Sequence, residues 1–334
     1  MINRPHAPPS TPIPRSLVWE LTARCSLACE HCYNVWYGDR AAPLRELASA
    51  ERLAIVEGLA PYGRDLEAVT LSGGEPLLLP ELELLVAGLR QRLPRARVNV
   101  ATNGLLLTAE RARGLRGAGA QAVQLTLLSP RPEVHDAMVG QQGAQMMVLA
   151  ALAAAKAAGL VVAAFFVATR RNIADWPGAA KLALALGADA VMFNRFQPGG
   201  RGLTRWRELT PTPDQLQRAL YQIRELQGRA AVQLGTPLPP CEAAGAPVLG
   251  CPIGTRDAYP CIGPDGGLRP CNHWPGSGGS LLELPLERLL RRPLYREPPG
   301  GLPDECGGCD DARRCGGGCP AARLLAGEAI YNRA

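Results

Sequence analysis

Three cysteines lie within eight residues near the start of the chain, in the run Cys25-Ser26-Leu27-Ala28-Cys29-Glu30-His31-Cys32, and Tyr33 follows. Thiolates are soft ligands. Three on one loop suit three irons of a cubane cluster and leave the fourth iron without a protein ligand. A structural zinc ion wants four ligands, and the nominal fourth, His31, adjoins Cys32, so the two would reach one ion only with difficulty. Zinc and plain buried thiols stand as the alternatives. Eight further cysteines fall between Cys241 and Cys319, spaced Cys306-x2-Cys309-x5-Cys315-x3-Cys319 and preceded by Cys251-x14-Gly266-x4-Cys271, with Cys241 and Cys261 beside them. A zinc ribbon over Cys306–Cys319 is the rival to clusters there.

The total of 11 cysteines is odd, and residues 1–14 are proline-rich with no apolar signal core. A cytoplasmic protein is therefore expected, in a compartment where disulfides are rare, and metal or cluster ligation becomes the default. The net charge of +6 is carried almost wholly by arginine, since Lys156 and Lys181 are the two lysines among 36 basic residues. The arginines are dispersed, so a nucleic-acid footprint is not expected. Residues 146–168 are apolar enough to suggest a membrane span, but Lys156 and Gly159 divide them into a helix, a stop and a strand.

These residues need a frame, and the chain supplies an alternating one. Hydrophobic residues make up 47% of the 334, enough for a real core. Strand patterns cover 16–21, 68–71, 98–101, 122–127, 160–167 and 190–196. Helical patterns lie between them at 49–59, 79–92, 108–118, 145–158 and 175–186, with a further helix at 213–227. Six β-α repeats predict an α/β fold, a parallel sheet with helices outside in a full or partial barrel, with chemistry at the C-terminal strand ends. The cysteine loop follows the first strand, Ser72-Gly73-Gly74-Glu75-Pro76 the second and Thr102-Asn103-Gly104 the third. Past residue 235, Gly, Pro and Cys dominate and too few apolar residues remain for a separate core, so that segment needs a staple. The expected division is a flexible tail over 1–14, the core over 15–200, a helical connector over 201–240 and a small Cys-rich domain over 241–334.

The cysteine loop, the Gly-Gly-Glu-Pro run and the Thr-Asn-Gly run, each at a successive strand end, resemble the signature of the radical S-adenosylmethionine (SAM) superfamily across about residues 16–200. The resemblance implies a partial (β/α)6 TIM-like barrel in which Cys25, Cys29 and Cys32 hold a [4Fe–4S] cluster whose open iron SAM chelates. Gly73 and Gly74 would let the backbone approach SAM, and Glu75 would accept hydrogen bonds from its ammonium. Tyr33, Thr102, Asn103 and the Thr126 hydroxyl would be further SAM contacts. The fourth strand departs from the subgroup's pattern: Leu128 and Ser129 replace its Asp-Gly, and His135-Asp136 read as helix-start structure. Arg170, Arg171, Asn172, Asn194 and Arg195, at later strand ends, are candidates to meet SAM or substrate.

The C-terminal spacing is similar to the SPASM domain, an auxiliary-cluster extension, over about residues 240–330, with a hairpin turn at Pro264-Asp265-Gly266-Gly267. The resemblance implies two auxiliary [4Fe–4S] clusters. The first would use Cys251, Cys271 and Cys319 with Cys261 as its fourth ligand. The second would use Cys306, Cys309 and Cys315, completed by Cys241 or by an oxygen from Asp310 or Asp311, since the family's last cysteine is missing.

The implied activity is reductive cleavage of SAM to a 5′-deoxyadenosyl radical that takes hydrogen from a substrate carbon, fed by an external electron donor of flavodoxin or ferredoxin type. The expected substrate is a ribosomally made precursor peptide. No peptide-binding module precedes the barrel in this sequence, so a separate peptide-recognition protein is a further expected partner. The alternatives are a small molecule, such as a sugar, a haem-type compound or an amino-acid derivative, and formylglycine-type sulfatase maturation. Asn272 after Cys271, where that last family has Asp, speaks against maturation of sulfatases. An iron–sulfur electron carrier without catalysis is the rival from another class.

Overall fold

A computed structural model describes residues 12–37, 44–227, 231–236, 238, 241, 250–297 and 301–327. Most of the tail expected over 1–14 lies outside them. Seven parallel strands follow in sequence order: β1 (Ser16–Glu20), β2 (Ala68–Ser72), β3 (Arg97–Thr102), β4 (Ala122–Thr126), β5 (Val161–Ala168), β6 (Ala190–Arg195) and β7 (Val232–Leu234). The crossovers carry α1 (Ser49–Leu59), α2 (Leu82–Arg92), α3 (Ala109–Ala118), α4 (Pro132–Val139), α5 (Ala144–Ala157), α6 (Trp176–Ala185), the short α7 (Gly200–Thr204) and α8 (Trp206–Leu209), and α9 (Pro213–Gln227). This is the parallel α/β core of a partial barrel.

Local chemistry explains the elements. In β5, burial alternates residue by residue, as a pleated strand requires. Its Phe166 packs against Trp176 and Phe193, with ring centroids 5.4 and 6.0 Å away. The Thr108 hydroxyl accepts the Arg111 N–H at 3.1 Å and caps α3, and Gly119 closes that helix with φ of 105°. Of the expected helix-start pair His135-Asp136, only Asp136 serves a helix start, while His135 lies within α4. The Asp136 carboxylate accepts the N–H groups of Gly143 and Gln145 at the entry to α5, and the His135 ring accepts the Leu128 N–H at 3.2 Å.

The hairpin turn expected at 264–267 is present, but neither a seventh strand nor the place where the hairpin docks was foreseen in the sequence. β7 extends the sheet past β6. On the opposite edge, the hairpin of β8 (Cys261–Ile262) and β9 (Leu268–Arg269) adds to β1, with Val18 opposite Cys261 and Trp19 opposite Ile262 in parallel register. The sheet therefore runs in the order β7-β6-β5-β4-β3-β2-β1-β8-β9. Among the described residues of the Cys-rich segment, Ile262, Leu268, Leu286, Leu289, Leu290 and Tyr295 join the core of the barrel. Among the described residues no helix is long and apolar enough to cross a membrane.

Candidate active site

The loop that carries the first three cysteines leaves β1 and is held from below by the strand end beside it. Gly74 N–H donates to the Thr22 carbonyl at 2.7 Å and Glu75 N–H to the Arg24 carbonyl at 2.8 Å, so residues 22–24 and 73–75 stay paired past the strands. The two glycines follow from that closeness. A Cβ on Gly74 would stand 2.0 Å from the Arg24 carbonyl oxygen, and one on Gly73, at φ 135°, would stand 2.5 Å from that of Thr22. Here the neighbour that excludes a side chain is the cysteine loop's own backbone, where the sequence argument had invoked SAM. From α1, Arg52 donates to the Leu21 carbonyl at 3.1 and 3.2 Å, while the Glu46 carboxylate accepts from the Thr22 hydroxyl and the Ala23 N–H. Sequence reasoning missed both residues, because nothing local marks them.

Glu75 is fully buried. Its carboxylate accepts the Thr102 hydroxyl at 2.7 Å, the Asn103 N–H at 2.8 Å and the Leu77 N–H at 3.0 Å. Burial raises its pKa, against the pull of those donors. Thr102 spends its hydroxyl on Glu75 and the Gly104 N–H, while the Asn103 amide reaches Ser26 at 3.0 Å and the Cys25 sulfur at 3.8 Å. The second and third motifs are thus one hydrogen-bonded unit beneath the cysteine loop. Thr126 is partly exposed at the end of β4.

Cys25 and Cys29 rest against a small apolar cluster of Leu27, Leu128, Met138, Val139 and Ala144. Burial is the main cause that raises their thiols, pushing Cys29 up to about 12 and Cys32 to about 11. Neutral thiols in such a place become thiolates when a metal supplies the positive charge. The Leu27 N–H points at the Cys25 sulfur at 3.5 Å, and the Asn34 N–H bonds that of Cys32. Such N–H···S contacts suit cluster-bound thiolates. Among the described residues no three His, Cys, Asp or Glu side chains converge on a single-ion site. A cubane places its cysteines on separate irons, so it makes no such demand, whereas zinc does. His31 is buried, and burial lowers its pKa to about 4.

Charge arrives from α7, another feature the sequence argument passed over. The glycines around Arg201 press on the cysteine loop: a Cβ on Gly200 would lie 2.3 Å from the Asn34 carbonyl oxygen, and one on Gly199 would lie 2.6 Å from that of Tyr33. Gly202 N–H donates to the Cys32 carbonyl at 3.1 Å. The Arg201 guanidinium lies 4.0 Å from the Tyr37 ring centre and acts electrostatically on Cys25, Cys29 and Cys32. Glycines 199, 200 and 202 were the signal that could have found it. Nearby, Glu30 is held by Arg171 at 3.4 Å and Arg205 at 3.0 Å, while Arg170 donates to the Thr210 carbonyl and Asn172 is bonded within its own turn. Arg195 is buried and acts on Cys319, and the Asn194 side chain abuts Gly235.

Tyr33 turns toward the C-terminal segment, its ring 4.5 Å from that of His273. There Cys251, Cys271 and Cys319 line one cavity together with Gln197, Thr236, Tyr259 and His273. Cys261 does not line it. Cys306 closes a 3-10 turn, Cys309 N–H bonds its carbonyl at 3.1 Å and Cys315 is buried in the next turn. Asp311 accepts from Arg314 at 2.8 Å, and Cys241 is exposed, with residues 242–249 beside it outside the described set.

With this geometry in hand, comparison with known proteins decides the family. Residues 19–183 match the radical SAM superfamily, and the PqqA peptide cyclase of Streptomyces rochei is 32% identical over 340 residues, covering 97% of this chain and 89% of that one. The chain belongs to the radical SAM superfamily. The AdoMet-dependent heme synthase of Methanosarcina barkeri (strain Fusaro / DSM 804) is 29% identical over 331 residues, covering 92% of this chain and 91% of its own. In fold, the radical SAM chain resembles Streptococcus suis SuiB, solved bound to precursor peptide SuiA, with a TM-score of 0.73 and 16% identity over 96% of this chain and 75% of that one. It is an enzyme, and the cofactors of its family are a [4Fe–4S] cluster and SAM; the thiol loop, its N–H···S contacts and the charge of Arg201 fit them.

Proposed function

We propose that this radical SAM enzyme modifies a ribosomally made peptide. The observation that carries the reading is the 32% identity to a peptide cyclase over 97% of the chain. With cluster and SAM bound, the chemistry supplied is reductive cleavage of SAM, which yields a 5′-deoxyadenosyl radical that takes hydrogen from a substrate carbon. The residues do the rest. Cys25, Cys29 and Cys32 hold the cluster; the backbone at 73–75, buttressed by Glu75, Thr102 and Asn103, fixes the loop beside the SAM site; Arg201 offsets negative charge there. Tyr33 closes the site toward the C-terminal segment, and Thr126 is a contact for SAM from β4.

Cys251, Cys271 and Cys319 in the first cavity, and Cys306, Cys309 and Cys315 beyond it, hold auxiliary clusters. Cys241 or Asp310 completes the second. An external flavodoxin- or ferredoxin-type protein supplies the electron, and a separate recognition protein presents the peptide. The heme synthase relative favours a second reading, in which a tetrapyrrole is the substrate.

The test is deuterium transfer. Short peptides encoded beside the gene are prepared with deuterated side chains and incubated anaerobically with reconstituted enzyme, reductant and SAM. Deuterium in 5′-deoxyadenosine is the expected result. Deuterium acquired only from a labelled tetrapyrrole would replace the peptide reading with the second one.

A further inference from the structure

The three cavity cysteines and Cys261 differ in how their sulfurs are served. Cys251 receives the Ile253 N–H, Cys271 the N–H groups of His273 and Trp274, and Cys319 those of Ala321 and Ala322. Each also acts electrostatically on the Tyr259 phenol, which lines the same cavity. Backbone donors of this kind stabilise the charge on a cluster's thiolates.

Cys261 has another environment. It sits in β8, fully buried, facing Val18 of β1 and Arg269 of β9 across the sheet. Among the described residues no backbone N–H reaches its sulfur. It accepts from the Arg269 guanidinium at 3.3 Å and lies 3.8 Å from the Ile262 carbonyl, toward which the thiol points as a donor. Arg269 is itself fixed by an ion pair with buried Glu20 and by the Trp36 ring, 4.7 Å from its carbon. Of the cavity cysteines only Cys271 acts on Cys261, and the Cys261 sulfur is not part of the cavity's lining.

We infer that the cluster of this cavity is held by three thiolates, Cys251, Cys271 and Cys319, and that Cys261 is a structural thiol of the sheet. The fourth corner belongs to a ligand met inside the cavity, an oxygen or nitrogen donor. Gln197 stands there with both amide atoms buried and no hydrogen-bond partner, and it is 4% exposed. An amide with no partner in a buried wall costs free energy until something meets it.

The inference rests on the proposal that the C-terminal cysteines hold clusters, and the experiment separates the two. The protein with Cys25, Cys29 and Cys32 all changed to Ala keeps only the auxiliary sites. In that background Cys261→Ala and Cys261→Val, neither able to ligate iron, are compared with Cys271→Ala after anaerobic reconstitution. Iron and sulfide are counted, and EPR spectra of the reduced proteins are recorded. The expected result is about eight irons and an unchanged spectrum for at least one Cys261 variant, with loss of about four for Cys271→Ala. Loss of about four irons from both Cys261 variants, with circular dichroism unchanged, overturns the inference. A background protein that takes up no auxiliary iron at all would instead refute the cluster proposal beneath it.

Discussion

At the scale of single residues, Gly74 and His135 expose their roles most directly. In Gly74→Ala the new methyl meets backbone on the cysteine loop, which has no side chain to swing aside. Overpacking of this kind costs about 1–3 kcal/mol, measured by denaturant unfolding under anaerobic conditions. Because the displaced atoms carry the cysteines, SAM cleavage should fall by about a hundredfold, the effect of a misplacement near 1 Å. His135 is a pH probe. Burial lowers its pKa to about 4 from 6.5, so the folded state resists a proton that the unfolded chain accepts. Stability is then complete above 6.5 and declines as pH falls from there toward 4, at up to about 1.4 kcal/mol per pH unit. In His135→Leu that share of the pH slope should vanish, while overall stability drops by about 1–3 kcal/mol because the Leu128 N–H loses its acceptor. A slope in urea midpoints identical to that of the parent would contradict the account.

At the scale of elements, α7 makes the sharpest claim. It is five residues long and brings one charge to three cysteines. Arg201→Gln should leave the iron content intact and shift the reduction potential of the first cluster downward, because the reduced cluster is the more negative state and loses a compensating charge. Arg201→Lys should restore most of the shift in an EPR-monitored titration. How legible such elements were follows from the range of the interactions that make them. The α1 helix at Ser49–Leu59 and α9 at Pro213–Gln227 were read to the residue, and the six central strands to within about one, since periodicity and caps are local signals. The order of motifs at strand ends was equally plain. The reason for Gly73 and Gly74, the partner of Tyr33 and the docking of β8 on β1 were not. Each depends on a neighbour far along the chain, which one strand or turn does not announce.

At the scale of the molecule, the cysteine census makes the prediction. Three cubanes give about twelve irons in fully reconstituted protein. Replacing Cys25, Cys29 and Cys32 with Ala should remove about four and abolish SAM cleavage, while the rest persist. A total near four, with zinc present, would return the C-terminal cysteines to a zinc ribbon. The nine-stranded order has a further consequence, which concerns birth and not catalysis. On the ribosome the edge of β1 is made some 240 residues before β8, the strand that covers it. At roughly 5–20 residues per second, that edge waits between about ten and fifty seconds for its cover. An uncovered parallel edge is a template for wrong partners. Throughout that interval the first cysteine loop hangs from a strand paired on one side only, so a holdase and an iron–sulfur donor binding the nascent chain would compete for the same stretch, and slow codons after residue 200 would lengthen the contest.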